Sequence, residues 1–203
     1  MKLVLASSSP RRADILRAAG MRFVVMAPKV AESRLGSAAA LQIRQMDEAV
    51  ETPTAMVKRL AESKARAVVK DIHGPATVIG ADTTVVVDNL VLGKPASRDD
   101  AGKMLRGLSG RTHEVITGLA VLRLRDGITR TEVESTRVTF APLTDEEIND
   151  YIATGEGDQL AGAYAIQGRG GRFVTRIEGC YFNVVGLPLA RLYQTLRDLG
   201  WKE

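Results

Sequence analysis

Along most of the chain, apolar residues either alternate with polar ones or recur every three to four positions. These two periods separate strands from helices. Lys2 to Ala6 is a short apolar run with the length of a buried strand. Ser9 then stands at an N-cap position and Pro10 at the first helical position; Ile15, Leu16 and Ala19 form an apolar side until Gly20 ends the helix. Met21 to Met26 reads as a second strand. The helical period is strongest from Pro53 to Asp71: Thr52 caps it, and Val57, Leu60, Ala61, Lys64, Ala65 and Val68 share one face before Gly74. Between these elements, Ser33 to Glu51 carries Ala, Gln and Met with no clean period and is read as helical only in part.

Further on, Val78 to Asp88 reads as a strand that turns at Asp88-Asn89 into a short partner, Leu90 to Leu92. Ser97 opens a helix that turns Met104 and Leu105 inward. His113 to Arg125 and Thr129 to Phe140 form a long hairpin joined at Asp126-Gly127. Thr144 and Glu147 have the spacing of a capping box, and their helix runs through Ile148, Tyr151 and Ile152 to Gly155. A Gly-rich stretch precedes a strand from Phe173 to Ile177, and Pro188 to Leu199 closes the chain as a helix. Helices alternate with strands, yet long hairpins intervene, so the expectation is an α/β protein with a mixed sheet. No repeat, low-complexity tract or linker divides residues 1–203, which reads as a single domain.

Composition narrows the partners. With 45% hydrophobic residues the chain can bury a sizeable core, and its net charge of +4 suits a polyanion. One Trp, four Tyr and four Phe leave few stacking platforms for single-stranded nucleic acid, so a nucleotide is favoured over a polynucleotide. Cys180, the lone cysteine, excludes an intramolecular disulfide and suits a reducing cytoplasm. It lies in an apolar stretch and reads as a packing residue rather than a nucleophile. No run approaches the ~18 apolar residues of a membrane span, and the apolar start is too short for a signal peptide. A cytoplasmic protein with no membrane partner is expected.

Several segments carry chemistry. In Ser7-Ser-Ser-Pro-Arg11-Arg12 a helix start holds two arginines where the helix dipole favours an anion. An anion bound between them and the free N–H groups is one reading; two solvated arginines are the other. Asp82, in Gly80-Ala-Asp-Thr83-Thr84, ends an apolar run beside hydroxyls, which suits Mg²⁺ or a water-activating base as well as an ordinary turn. Lys94 is fixed between Gly93 and Pro95. Lys64 occupies the apolar stripe of its helix, either snorkelling along the core edge or pointing into an anionic cleft. Gln167 follows Ala161-Gly-Ala-Tyr-Ala-Ile and offers the donor-acceptor pair that suits a nucleobase edge. Asn183 could equally cap or turn. The GxxxxGK[ST], GxSxG and HExxH patterns are missing, and with only His73 and His113 a His-rich zinc site is disfavoured.

Taken in order, SSSPRR, GADTTVV, LGKP, LSGRTHEVITG, AGAYAIQG and NVVGLPL resemble the Maf family, from Lys2 to about Leu192. The resemblance implies an elongated mixed α/β fold, with two lobes around a central cleft, similar to the inosine triphosphate pyrophosphatases. It implies hydrolysis of a nucleoside triphosphate to monophosphate and pyrophosphate with Mg²⁺ or Mn²⁺, commonly by a homodimer. Asp82 matches the proposed proton acceptor, Glu32 the acidic residue that joins it at the metal, and Lys64 and Lys94 the two lysines. With Ser9, Arg11 and Arg12, the lysines would meet the phosphates.

Arg12, Thr83 and Gln167 match the branch acting on dTTP and UTP. The 7-methyl-GTP branch has an acidic group where Gln167 stands, which suits a cationic base; neutral thymine or uracil can use both ends of an amide. Two departures stand out: Gln159-Leu160 replaces the usual Asp-Lys before AGAY, and the segment between Glu32 and Lys64 is longer than usual. The competing expectations are a 7-methyl-GTP enzyme and a non-catalytic nucleotide-binding regulator of cell division.

Overall fold

The computed structural model describes residues 2–29 and 51–202. Among them are seven strands: β1 (Lys2–Ala6), β2 (Val24–Met26), β3 (Ala76–Val87), β4 (Leu90–Leu92), β5 (Thr112–Arg123), β6 (Ile128–Phe140) and β7 (Val174–Glu178). Six α-helices accompany them: α1 (Pro10–Ala18), α2 (Pro53–Ala67), α3 (Arg98–Leu108), α4 (Asp145–Ala153), α5 (Tyr181–Val185) and α6 (Leu189–Asp198). The strands form one sheet in the order β2-β1-β3-β5-β6-β7, with β4 added to β3. β1 runs parallel to β2 and β3, and every other pairing is antiparallel, so the sheet is mixed as expected.

Local chemistry explains most boundaries. Asp88 and Asn89 both adopt positive φ, 46° and 63°, the backbone that a tight two-residue hairpin requires between β3 and β4. Thr52 Oγ1 accepts the Ala55 N–H at 3.2 Å, and Thr144 with Glu147 forms the full reciprocal capping box. α2 stops at Ala67 and tightens into a 3₁₀ turn at Val69–Asp71, shorter than its apolar period predicts. β2 is shorter too. Met21 is buried in the core and Phe23 packs beside it, so the chain joins the ladder only at Val24. Phe173 ends a 3₁₀ turn rather than starting β7. Asn183, which could equally have capped or turned, lies within α5 and is fully buried.

Helix α2 covers one face of the sheet, with Ala61, Ala65 and Val68 against Val4, Val78, Ala120 and Leu122. Its approach is very close. A Cβ at Gly80 would lie 2.1 Å from the Ala61 carbonyl oxygen, and one at Gly118 would lie 2.2 Å from that of Val57. The opposite face carries two apolar clusters. One joins Leu5, Ile79 and Leu119 to Leu16 of α1 and Leu192 of α6. The other joins Val85, Val115 and Phe140 to Leu105 of α3 and Ile148 of α4. Thr83, Thr117, Thr136 and Asn183 form a hydrogen-bonded polar belt between them.

Candidate active site

The site begins with a gap in strand pairing. β1 ends opposite Gly80, whereas β4 meets β3 only from Val85 onward. Residues 81–84 of β3 therefore lack a strand neighbour on that side among the described residues, although β5 continues along the other. The first turn of α1 reaches into the gap. Arg12 donates from Nη1 to the Ala81 carbonyl at 2.8 Å, from Nε to the Gly186 carbonyl at 2.7 Å and from Nη2 to Thr83 Oγ1 at 3.0 Å. With only 9% of its surface exposed, Arg12 lies inside the fold rather than in solvent.

Because side chains alternate across a strand, Asp82 and Thr83 leave the gap on opposite faces. Thr83 sits on the α1 face, 2.9 Å from Thr117 Oγ1. Asp82 sits under α2, where Lys64 Nζ donates to its Oδ1 at 2.6 Å; the two side chains are only 15% and 18% exposed. Lys64 thus reaches past the apolar stripe to an acidic partner. Arg59 of the same helix adds positive charge within electrostatic reach of Asp82, and its own pKa is raised chiefly by its hydrogen bond to Glu51. Both Arg59–Glu51 contacts are short, 2.8 and 2.6 Å.

At the N-terminus of α1, Ser9 holds the N-cap position, but its side chain makes no capping bond. Its backbone N–H instead donates to Ser7 Oγ at 3.1 Å. No acidic residue occupies the first turn. Arg11 is half-buried, and its side chain makes no hydrogen bond among the described residues. Burial lowers its pKa from the ordinary arginine value, against the opposing pull of Tyr151 and Glu156. Lys94 lies in the turn after β4, and the adjoining Gly93 carbonyl accepts the Gly162 N–H at 3.1 Å, tying that turn to the Gly-rich loop. Gln167 is exposed in that loop. Glu32 lies outside the described residues. The structure thus brings Lys64 onto Asp82 and Arg12 onto Thr83, and links the loops of Lys94 and Gln167 into one frame.

A divalent ion is implied by the family resemblance. Among the described residues, no group of three or more His, Cys, Asp or Glu side chains comes together. Asp82 nevertheless offers a hard oxygen ligand, and Mg²⁺ is often held by one or two carboxylates together with substrate phosphates rather than by a complete protein cage. The available donor fits that arrangement.

Four features escaped the sequence reading. Gly118 interrupts a long apolar strand, a pattern that marks close backbone approach and could have been noticed. Arg59 is an exposed cation on α2. Tyr151 reads as part of the helix after Thr144, and Glu156 lies between two glycines. None of these last three has a sequence signal, because each depends on contacts across the fold.

A family model for the Maf-like protein matches residues 2–199, and the chain belongs to that family. Among its relatives, the dTTP/UTP pyrophosphatase of Geobacillus sp. is 48% identical over 200 residues, covering 98% of this chain and 99% of the relative. The dTTP/UTP pyrophosphatase of Koribacter versatilis is 49% identical over 200 residues, covering 98% and 95%. That of Carboxydothermus hydrogenoformans is 44% identical over 201 residues, covering 99% and 100%.

Proposed function

We propose that the chain is a dTTP/UTP pyrophosphatase, a hydrolase that releases pyrophosphate and leaves the nucleoside monophosphate. The full-length relatives carry that name. The observation that carries the site assignment is the sheltered Lys64–Asp82 pair at the gap in β3. It offers a fixed carboxylate next to a fixed cation, as water activation beside a phosphate requires.

Asp82 accepts the proton of the water that attacks the α phosphorus, and the α–β bridging oxygen departs with pyrophosphate. Lys64, Lys94 and Arg11 neutralise charge on the phosphates, the first-turn N–H groups of α1 beyond Ser9 face the same anion, and Arg12 adds its charge from behind Thr83. Mg²⁺ or Mn²⁺, held by Asp82 and Glu32, supplies Lewis-acid stabilisation of the phosphoryl oxygens when bound. Gln167 reads the pyrimidine edge, with Arg12 and Thr83 shaping the neighbouring wall.

The family resemblance is our ground for an elongated molecule of two lobes around a central cleft; the two apolar clusters lie on either side of the polar belt. The free thiol of Cys180 suits the cytoplasm, our assigned compartment. Among the described residues, no helix is long and apolar enough to cross a membrane. We assign a homodimer from the resemblance to the family; Tyr181, Phe182 and Tyr193 leave exposed apolar surface for such a contact.

The test is a panel of nucleoside triphosphates with Mg²⁺ or Mn²⁺, measuring monophosphate and pyrophosphate together. The expected result is metal-dependent turnover of dTTP and UTP with one pyrophosphate per monophosphate. Preference for 7-methyl-GTP, or release of orthophosphate from the γ position, overturns the reading.

A further inference from the structure

The loop bearing Gln167 is closed by side chains that lie outside every motif used so far. Glu156, just after α4, accepts three hydrogen bonds. The Tyr151 hydroxyl and the Gly170 N–H both donate to Oε1 at 3.0 Å, and the Arg169 N–H donates to Oε2 at 2.9 Å. Tyr151 also works in the other direction: its hydroxyl oxygen accepts the Ala165 N–H at 3.0 Å. The pair therefore grips the loop at Ala165, two residues before Gln167, and at Arg169 and Gly170, two and three residues after it. Gln167 is left at the apex, exposed and without a hydrogen bond among the described residues.

Two further facts separate this clasp from an ordinary surface contact. Gly168 has φ of +115°, and a Cβ there would lie 2.6 Å from the Glu156 carboxylate, so the loop closes on that acid only because residue 168 is glycine. The Tyr151 ring is also buried, 1% exposed, and meets Phe173 edge-on at 5.1 Å, which fixes the hydroxyl from the core side. Burial opposes ionisation of Glu156, but the Gly170 and Arg169 N–H groups and the Tyr151 hydroxyl outweigh it and hold the carboxyl below its usual range. A carboxylate accepting three hydrogen bonds is a stiff anchor.

We infer that Glu156 and Tyr151 are positioning residues for nucleobase selection: their clasp holds the 165–170 loop so that Gln167 meets the pyrimidine edge. The inference rests on the reading of Gln167 given above. Both are assigned a role through the loop, not a contact with substrate. Glu156→Gln puts an amide NH₂ where one oxygen accepts an N–H, so at least one of the three bonds is lost; Tyr151→Phe keeps the ring and removes the hydroxyl.

The experiment compares UTP with CTP, which differ at the edge an amide would read, in the wild-type enzyme, Glu156→Gln, Tyr151→Phe and Gln167→Ala. Hydrogen exchange at Ala165, Arg169 and Gly170 and thermal unfolding are followed in parallel. The expected result is faster exchange at those amides in both clasp variants. With it comes a UTP-over-CTP ratio in kcat/KM that falls at least fivefold, mostly through KM, towards that of Gln167→Ala. A role in folding alone would lower the unfolding temperature and leave the ratio unchanged, and that outcome overturns the inference. If Gln167→Ala relaxes the ratio while neither clasp variant does, the clasp fails and the Gln167 reading survives. If no variant changes the ratio, both fail together.

Discussion

Asp82 and Lys64 are 18 positions apart in sequence and meet at 2.6 Å, largely sheltered from water. Replacing Asp82 with Asn keeps an oxygen for Lys64 but removes the base. Pyrophosphate release by Asp82→Asn should therefore fall about 10²- to 10⁴-fold, the usual contribution of a positioned acid or base. Its circular dichroism should remain that of the parent, and a near-parental rate would reject Asp82 as the proton acceptor. His113 makes a second prediction, away from the site. It is buried, Nε2 pairs with the Tyr164 hydroxyl at 2.8 Å, and Nδ1 has no hydrogen-bond partner among the described residues. Burial lowers its pKa from 6.5 to about 4. Between those values the unfolded chain binds a proton that the folded chain refuses. The stability contributed by a neutral His113 is thus complete above pH 6.5 and lost as pH falls towards 4, about 3 kcal/mol over the window. Urea titrations from pH 7.5 to 4 should show this slope. His113→Gln should flatten it, and an unchanged slope in that variant would assign the effect elsewhere.

Helix α2 is the element on which the site depends most. It carries Lys64 and Arg59, and its distance from the sheet is set by Gly80 and Gly118. Gly118→Ala forces a methyl group towards the Val57 carbonyl, so α2 must lift or the strand must bend. Such overpacking costs typically about 1–3 kcal/mol. The activity of this variant should fall by more than its unfolded fraction explains, since Lys64 moves with the helix; activity that simply follows the folded fraction would disprove that coupling. Gly107 in α3 is the contrasting case. A Cβ there meets nothing within 4 Å, so Gly107→Ala should raise stability by about 0.5–1 kcal/mol through helix propensity alone. Measured side by side, the two variants separate a packing glycine from an idle one. The sequence could mark both glycines, but it could not tell them apart. The helical period of α2 was legible from Val57, Ala61 and Ala65. The direction of Lys64 was not, because a lysine at the edge of an apolar stripe suits either a snorkelling or a cleft-facing role.

Across the whole molecule, the α1 face of the sheet is divided by polar side chains. Asn183 donates to the Val115 carbonyl at 2.9 Å and to Thr136 Oγ1 at 3.0 Å, joining α5 to β5 and β6. Thr117 Oγ1 bonds the Asn183 carbonyl at 3.3 Å and lies beside Thr83, so the belt runs from α5 to the wall of the site. Asn183→Ala removes the side-chain donor of the Val115 carbonyl and one of two donors to Thr136 Oγ1, which keeps the Cys180 N–H at 3.1 Å; a buried group left unpaired costs about 1–3 kcal/mol. A drop of that order in urea stability is expected, with a weaker Thr83 position visible as a raised KM for UTP. No loss of stability would mean that the belt is replaceable. Gln159-Leu160 gains meaning at this scale. Leu160 N–H donates to the Gly157 carbonyl and Ala163 N–H to that of Leu160, so a self-bonded turn leads into the Gly162 link to Gly93. The departure from the family pattern leaves that frame intact.

The sequence alone determined the elements and their chemistry: the caps at Thr52 and Thr144, the Asp88-Asn89 turn, the long hairpin, and the ordered motifs that placed the chain in its family. These are local properties, fixed by side-chain size, hydrogen-bonding capacity and backbone freedom within a few residues. Only the tertiary structure decided that β1 stops short of Asp82, that Lys64 turns towards it, that Arg12 is held beneath Thr83, and that Glu156 clasps the Gln167 loop. Each joins residues distant along the chain. The register of a parallel pairing and the close seat of a helix on two glycines bring the first three together, and the turn at Gly168 closes the fourth; no local period encodes any of them.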